Sequence, residues 1–314
     1  MGNLQIFAFL IVITLAINNQ KVIRTVNFEG FNTKQVTSID VFNDESEGKP
    51  EITSYNVVVN ATLYPNLIHI EVTQDGEILQ LDRNPTYDNP ELDILAYTCI
   101  LETPIRPQTK GSIVVVEEYT HRKTAHPPTM KIKDTPKIMI YDNAYYQTFY
   151  HTSSMKSTFE FPHGSEILKF TEIKKAEEKS RAIRYGAYKD VAPFTSEHIF
   201  IHTTYRDPIP VLRNVTKEIT VSHWDTIKVD EYVHMENEIA KLAGEFGRVD
   251  YNPFDVAYAI SEVTCNLPLN AHHLYYVDPV GNVTTSHARR EDDKVLFEFK
   301  PRFPIMGGWK ATWN

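Results

Sequence analysis

Hydrophobic and polar positions alternate along most of this chain. The segment Glu218–Tyr251, EITVSHWDTIKVDEYVHMENEIAKLAGEFGRVDY, shows it best. Ile219, Val221 and His223 share one phase of period two. Ile227, Val229, Val233 and Met235 share another, with Glu231 out of pattern. Such spacing, rich in β-branched residues, predicts half-buried strands. The period then changes: Ile239, Leu242, Ala243 and Phe246 fall at helical spacing, which predicts a short helix weakened by Gly244 and Gly247. Upstream, strands are expected over Val36–Phe42, Ile52–Leu63, Leu92–Leu101, Gly111–Thr120, Lys137–Tyr141 and His198–Thr203. Leu67–Leu81 reads as a hairpin turning at Asp75-Gly76. Val295, Phe297 and Phe299 alternate in a late strand, and the charged stretch Ile173–Ser180 reads as a solvated hairpin loop or short helix. Tyr145, Tyr146, Phe149 and Tyr150 form an aromatic cluster. The pattern is that of a mainly β protein.

Composition narrows this. With 314 residues, 42% hydrophobic and 23% charged, the chain can fold as two domains with their own cores. A net charge of −9 argues against a nucleic-acid partner, which would need a basic face. The 17 tyrosines and 16 phenylalanines favour strands. Apolar residues run from Ile6 to Ile17 with only Thr14 polar. That is shorter than the roughly 20 residues needed to span a bilayer, and fits the core of a secretory leader. The sequons at Asn60, Asn214 and Asn282 agree with passage through the endoplasmic reticulum and are expected on exposed loops or strand ends. Cys99 and Cys265 make no disulfide framework; they either pair in an oxidising lumen or stand as two small buried residues in different domains.

Candidate chemistry is sparse. Phosphate loops, HExxH, CxxC and GxSxG patterns are all missing from the sequence. His121 and His126 have no acidic or cysteine partner at ligand spacing, and His272-His273 point to opposite faces of a strand. Glu117-Glu118 and Asp230-Glu231 put one carboxylate inward and one outward, unlike a paired acid and base. His223 reads as a packed or interface histidine. The sequence implies no catalytic residue, metal or cofactor.

Four segments in one order resemble the ribophorin I family. They are IRYGAYKDVAPF at Ile183–Phe194, then EITVSHW, KLAGEF and RVDY within Glu218–Tyr251, then LYYVDPVGNVTTSH at Leu274–His287, and PRFPIMGGWK at Pro301–Lys310. They single out His223, Trp224, Gly244, Phe246, Arg248, Asp250, Tyr275, Tyr276, Gly281, Asn282, Arg302, Phe303, Pro304, Gly307, Gly308 and Trp309 as architectural, with His223 and Trp224 packing at a domain junction. Asp225-Thr226, Gly247 and Val277 depart from the family pattern. The resemblance implies two luminal β-sandwich-like domains in tandem, the second incomplete, because family chains continue into a membrane helix. The expected division is a leader at 1–20, a first domain at 21–214 and part of a second at 215–314. The resemblance also implies a non-catalytic subunit of the oligosaccharyltransferase complex that holds or presents nascent polypeptides. Its partners would be the other subunits, the catalytic one included, and the translocation machinery. A soluble luminal or secreted binding module using the Tyr145–Tyr150 aromatics is the alternative, and a hydrolase relying on His223 or His234 the most remote reading.

Overall fold

A computed structural model describes residues 17–224, 226–252 and 255–314. Most of the apolar run at 6–17, and Asp225 of the family departure, lie outside the described residues. The chain is mainly β and forms two compact units. One is Met1–Lys123 with Ile140–His202, the other Thr124–Met139 with Thr203–Asn314. The boundary expected at 214/215 falls within one strand, Pro210–Val221.

The first unit is built on an eight-stranded sheet. At its centre Ile17–Asn27 pairs in parallel with His151–Glu160 and antiparallel with Thr33–Asn43. The alternation expected at Val36–Phe42 and Gly111–Thr120 is seen in Thr33–Asn43 and Lys110–Tyr119, which pair with each other. Ile39, Val41, Ile113 and Val115 lie fully buried on the inner face. The Asp75-Gly76 hairpin forms as predicted. Ile17–Asn27 was not anticipated, and its residues 17–20 fall within the segment assigned to the leader. A bulge between Asn19 and Lys21 shifts the phase, so Ile17 and Asn19, then Val22, Arg24 and Val26, all point inward. Two of these inward residues are polar, which hides the strand from a hydrophobic pattern.

A smaller sheet of Ile52–Asn60, Ile94–Ile105 and Leu81–Arg83 belongs to the same unit. The Tyr55 hydroxyl donates to Asn19 Oδ1 at 3.2 Å, and the Asn56 N–H donates to Tyr150 Oη at 2.9 Å. Tyr146, Phe149 and Tyr150 are therefore core residues and not the contact patch the alternative reading required. Ile173–Ser180 contributes the edge strand Ala176–Lys179, whose charged side chains keep that edge in water.

In the second unit, Pro210–Val221, Ile227–Asn237 and Lys310–Trp313 form one antiparallel sheet. Val263–Pro268, Lys294–Phe299 and Ser286–Arg290 form another. Val233, Met235, Phe297, Phe299, Ile305 and Trp313 meet in their shared core. The helix expected around Ile239–Phe246 does not form. Lys241 and Ala243 donate their N–H groups to Pro128 O and Met130 O, and Leu242 donates to Gly307 O. Lys241–Leu242 thus pairs with Thr129–Met130, and backbone donors committed outward cannot close a helix. Gly244, at φ +86°, turns the chain afterwards.

Candidate interaction surface

The motif residues of the second unit gather into two structural clusters. In one, Asp278 accepts a two-pronged pair from Arg302 at 2.7 and 3.0 Å, while the N–H groups of Val280 and Gly281 bond the same carboxylate at 3.0 Å. The Arg302 bonds come first among the causes that hold Asp278 down to about 2. Tyr276 stacks on Phe299 at 4.1 Å, and Tyr275 donates its hydroxyl to Asp230. Gly281 needs its φ of +135° to close the tight turn between Val277–Asp278 and Gly281–Asn282.

In the other cluster, Phe246 packs against both Trp309 and Tyr251. Gly307 leaves no room for a side chain, since a Cβ there would sit 1.9 Å from Ala240 O. Gly308 takes φ +75°, Asp250 pairs with Lys133 at 2.8 Å, and Pro304 is half-buried. Arg248 and Phe303 are exposed. The buried Asn237 ties these loops together: its Nδ2 donates to Tyr258 O and Ile305 O at 2.8 and 3.0 Å, and its Oδ1 accepts from the Ile209 N–H at 3.1 Å. The sequence reading passed over Asn237, whose one signal is an amide placed at the inward phase of a strand end.

His223 and Trp224 do not join these clusters. They stand at the tip of the hairpin Pro210–Val221/Ile227–Asn237, with Trp224 90% exposed. The expectation that they pack at a domain junction is corrected by this. A tip side chain has no neighbouring layer, and the backbone N–H of Trp224 donates locally to Ser222 Oγ at 3.1 Å. The hairpin register pairs Val215 with Val233, Lys217 with Glu231, Ile219 with Val229, and Val221 with Ile227 on one face. Thr216–Tyr232, Glu218–Asp230 and Thr220–Lys228 occupy the other. At its base the first face enters the core through Val233. Further out Ile219, Val221, Ile227 and Val229 are all exposed, and Lys217 and Glu231 neutralise each other across the strands. Lys310–Trp313 covers the edge of the second strand only at Val233–Glu236. The hairpin is thus an arm with an apolar face and an open edge among the described residues.

The sequons differ. Asn214 and Asn282 are exposed, Asn214 within a strand and not at its end. Asn60 is half-buried, and its Nδ2 donates to Asp93 Oδ2 at 2.6 Å while Thr62 Oγ1 donates to Asp93 Oδ1 at 2.9 Å. Cys99 is buried, Cys265 is half-buried, and both are free. Their thiol pKa values are pushed up by burial, to about 11 for Cys99. Among the described residues no group of three His, Cys, Asp or Glu side chains could hold a metal, and no helix is long and apolar enough to cross a membrane.

The first unit holds a buried polar group that the sequence reading also missed. Asp142 accepts from Arg24 at 2.7 Å and from Arg122, all three side chains being almost wholly buried. Burial alone would raise the Asp142 pKa, but Arg24, Arg122 and the Asn143 N–H together hold it below the usual value. Gln35 accepts from Arg24 and donates to Glu117, which also accepts from Tyr119 Oη at 2.8 Å. Burial pushes the Glu117 pKa up despite these donors.

Comparison with known proteins agrees with the motif clusters. The family model described as Ribophorin I matches residues 17–314. A Caenorhabditis elegans protein, dolichyl-diphosphooligosaccharide–protein glycosyltransferase subunit 1, is 30% identical over 71% of this chain and 39% of its own length. Subunit 1B of that transferase from Arabidopsis thaliana is 29% identical over 74% of this chain and 51% of its own. The chain therefore spans about half or less of these relatives. Among solved structures, an M1 zinc metallopeptidase from Deinococcus radiodurans overlaps 73% of this chain and 48% of that one at 8% identity, with a TM-score of 0.34. By the match across residues 17–314, this chain belongs to the ribophorin I family.

Proposed function

We propose that the chain serves as a non-catalytic accessory subunit of an oligosaccharyltransferase complex on the luminal side of the endoplasmic reticulum. Another subunit carries out transfer of the oligosaccharide to asparagine, while this chain holds acceptor polypeptide near it. Family membership supplies the setting, and the apolar arm is the observation that carries the reading. An extended polypeptide can add as a strand to an open sheet edge, taking main-chain hydrogen bonds from the edge and side-chain specificity from alternate positions. Residues 227–232 offer such an edge, flanked by Ile219, Val221, Ile227 and Val229 on one face. The ion pair Lys217–Glu231 leaves that face nearly neutral, which suits acceptor chains of varied charge.

The test is affinity capture of the tagged chain from gently solubilised endoplasmic reticulum membranes. The reading expects the catalytic subunit to co-elute; a chain that elutes without it overturns the assignment.

A further inference from the structure

The outer face of the large sheet carries a row of cations that neither the core nor the proposed function uses. Lys21 lies on Ile17–Asn27, Lys156 on His151–Glu160, Arg184 on Ala182–Val191 and Lys179 on the edge strand Ala176–Lys179. These four strands are consecutive in the sheet. Val22, Met155, Ser157, Ile183 and Tyr185 are buried on the inner face, so Lys21, Lys156 and Arg184 beside them point outward. Lys179 stands opposite Ala182, in the same phase as Arg184. The register also lines the four up. Lys156 pairs with Ile23 and Gly186, and Arg184 with Thr158 and Glu177. Each cation is therefore one diagonal step from the next, about 7–8 Å at the backbone and within reach of long side chains. Arg184 also falls within the family segment Ile183–Phe194.

The charge of this row is left open. The chain has 41 acids against 32 lysines and arginines, yet none of the four cations is in an ion pair among the described residues. Asp40 and Glu177 stand opposite Lys21 and Arg184 in register, but neither bonds its neighbour. Lys34, on the same face, does pair with Glu118 at 3.9 Å. Burial first, then the charges of Arg184, Lys179 and Lys21, push the Lys156 pKa down. The row thus repels its own central ammonium, and a bound anion would offset that repulsion.

We propose that this row binds a phosphate group, centred on Lys156 and Arg184. A guanidinium grips two phosphate oxygens at once, and an ammonium adds a point charge. A phosphate dianion answers both centres, which a single carboxylate does not. Lys21 and Lys179 extend the positive field on either side. The phosphate belongs either to a soluble ligand or to a lipid headgroup. The site stands on the first unit alone, so it holds or fails independently of the oligosaccharyltransferase reading.

The test gives the full chain two probes at low salt. One is inorganic pyrophosphate, followed by titration calorimetry. The other is flotation with phosphatidylcholine vesicles, with and without phosphatidylinositol. Binding of pyrophosphate alone supports the site with a soluble ligand; binding of the anionic vesicles, and not of plain phosphatidylcholine, supports it with a headgroup. Lys156→Ala and Arg184→Ala should each weaken binding about tenfold, the worth of one charge-assisted hydrogen bond. Arg184→Lys should recover part of that loss, and added salt should weaken binding throughout. Lys34→Ala should bind as the natural chain does. Should Arg184→Ala lower the unfolding midpoint, Lys156→Gln decides alone, because it keeps the side-chain stem and removes only the charge. The proposal is overturned if neither probe binds, or if Lys34→Ala weakens binding as much as the variants of the row. A glutamate-rich peptide that binds more tightly than both probes would overturn it in favour of an acidic polypeptide.

Discussion

The interior of the first unit and the hairpin of the second depart from the ordinary placement of polar and apolar residues in opposite directions. Around Asp142, two guanidiniums and two carboxylates lie out of water. Along the outer hairpin, four aliphatic side chains and Trp224 lie in it. Arg24 and Arg122 both bond the buried Asp142 carboxylate, so removing that carboxylate strands two guanidiniums. The exposed face has no neighbours to lose, so the fold should barely register changes there. One departure is to be read by stability, the other by binding.

The largest expected effect tests the closed interior. Asp142→Asn leaves Arg24 and Arg122 buried without their counter-charge and should cost about 3–5 kcal/mol in denaturant unfolding. A loss near the ordinary surface value would show the group to be solvated. Because the folded pKa of Asp142 is depressed, its stabilising share is complete above its unfolded value of 3.8 and is lost as pH falls through the lower folded value.

Next, Gly307→Ala drives a methyl into the Ala240 carbonyl and should cost about 1–3 kcal/mol by the same measurement. No change would mean that this motif is retained for something other than packing.

Glu117→Gln should act with the opposite sign. The folded pKa of Glu117 is raised, so its favourable share is complete below the unfolded value of 4.5 and is lost as pH rises through the folded value. The Gln variant should therefore be more stable than the natural chain at neutral pH, by at most about 1 kcal/mol. The gain should vanish below pH 4.5, and a gain that persists in acid would contradict this sign.

Smallest on the stability scale, Ile219→Ser with Val229→Ser should shift unfolding by no more than about 0.5 kcal/mol, as surface changes do. A loss of several times that amount would show the hairpin face to be covered within the protein itself.

This contrast also explains how much could be read in the sequence. Strands whose inward positions are aliphatic, such as Ile113 and Val115, announced themselves by period two. Ile17–Asn27 did not, because Asn19 and Arg24 point inward and a bulge breaks its phase. The pairing of Glu117 with Glu118 correctly implied one carboxylate inward. Gln35 donates to that carboxylate, Arg24 to Gln35 and to Asp142; these three residues come from three other strands and share no local signal. The helix at 239–246 failed for a related reason. Its spacing was helical, but its N–H groups are taken by residues 128–130 and 307, which no local window contains. The two strands of the hairpin were legible in alternation, but their register and their exposure were not. Alternation places Ile219 and Val229 on one face without saying what covers that face.

The most direct test of the account places a photo-crosslinking amino acid at Ile219 or Val229, or on the opposite face at Thr220 or Lys228. Each variant is irradiated in microsomes translating a secretory chain that carries a sequon. Crosslinks to the nascent chain are expected from Ile219 and Val229, and few from Thr220 and Lys228. Equal yields from both faces, or crosslinks from neither, would contradict the hairpin as the surface that holds acceptor polypeptide.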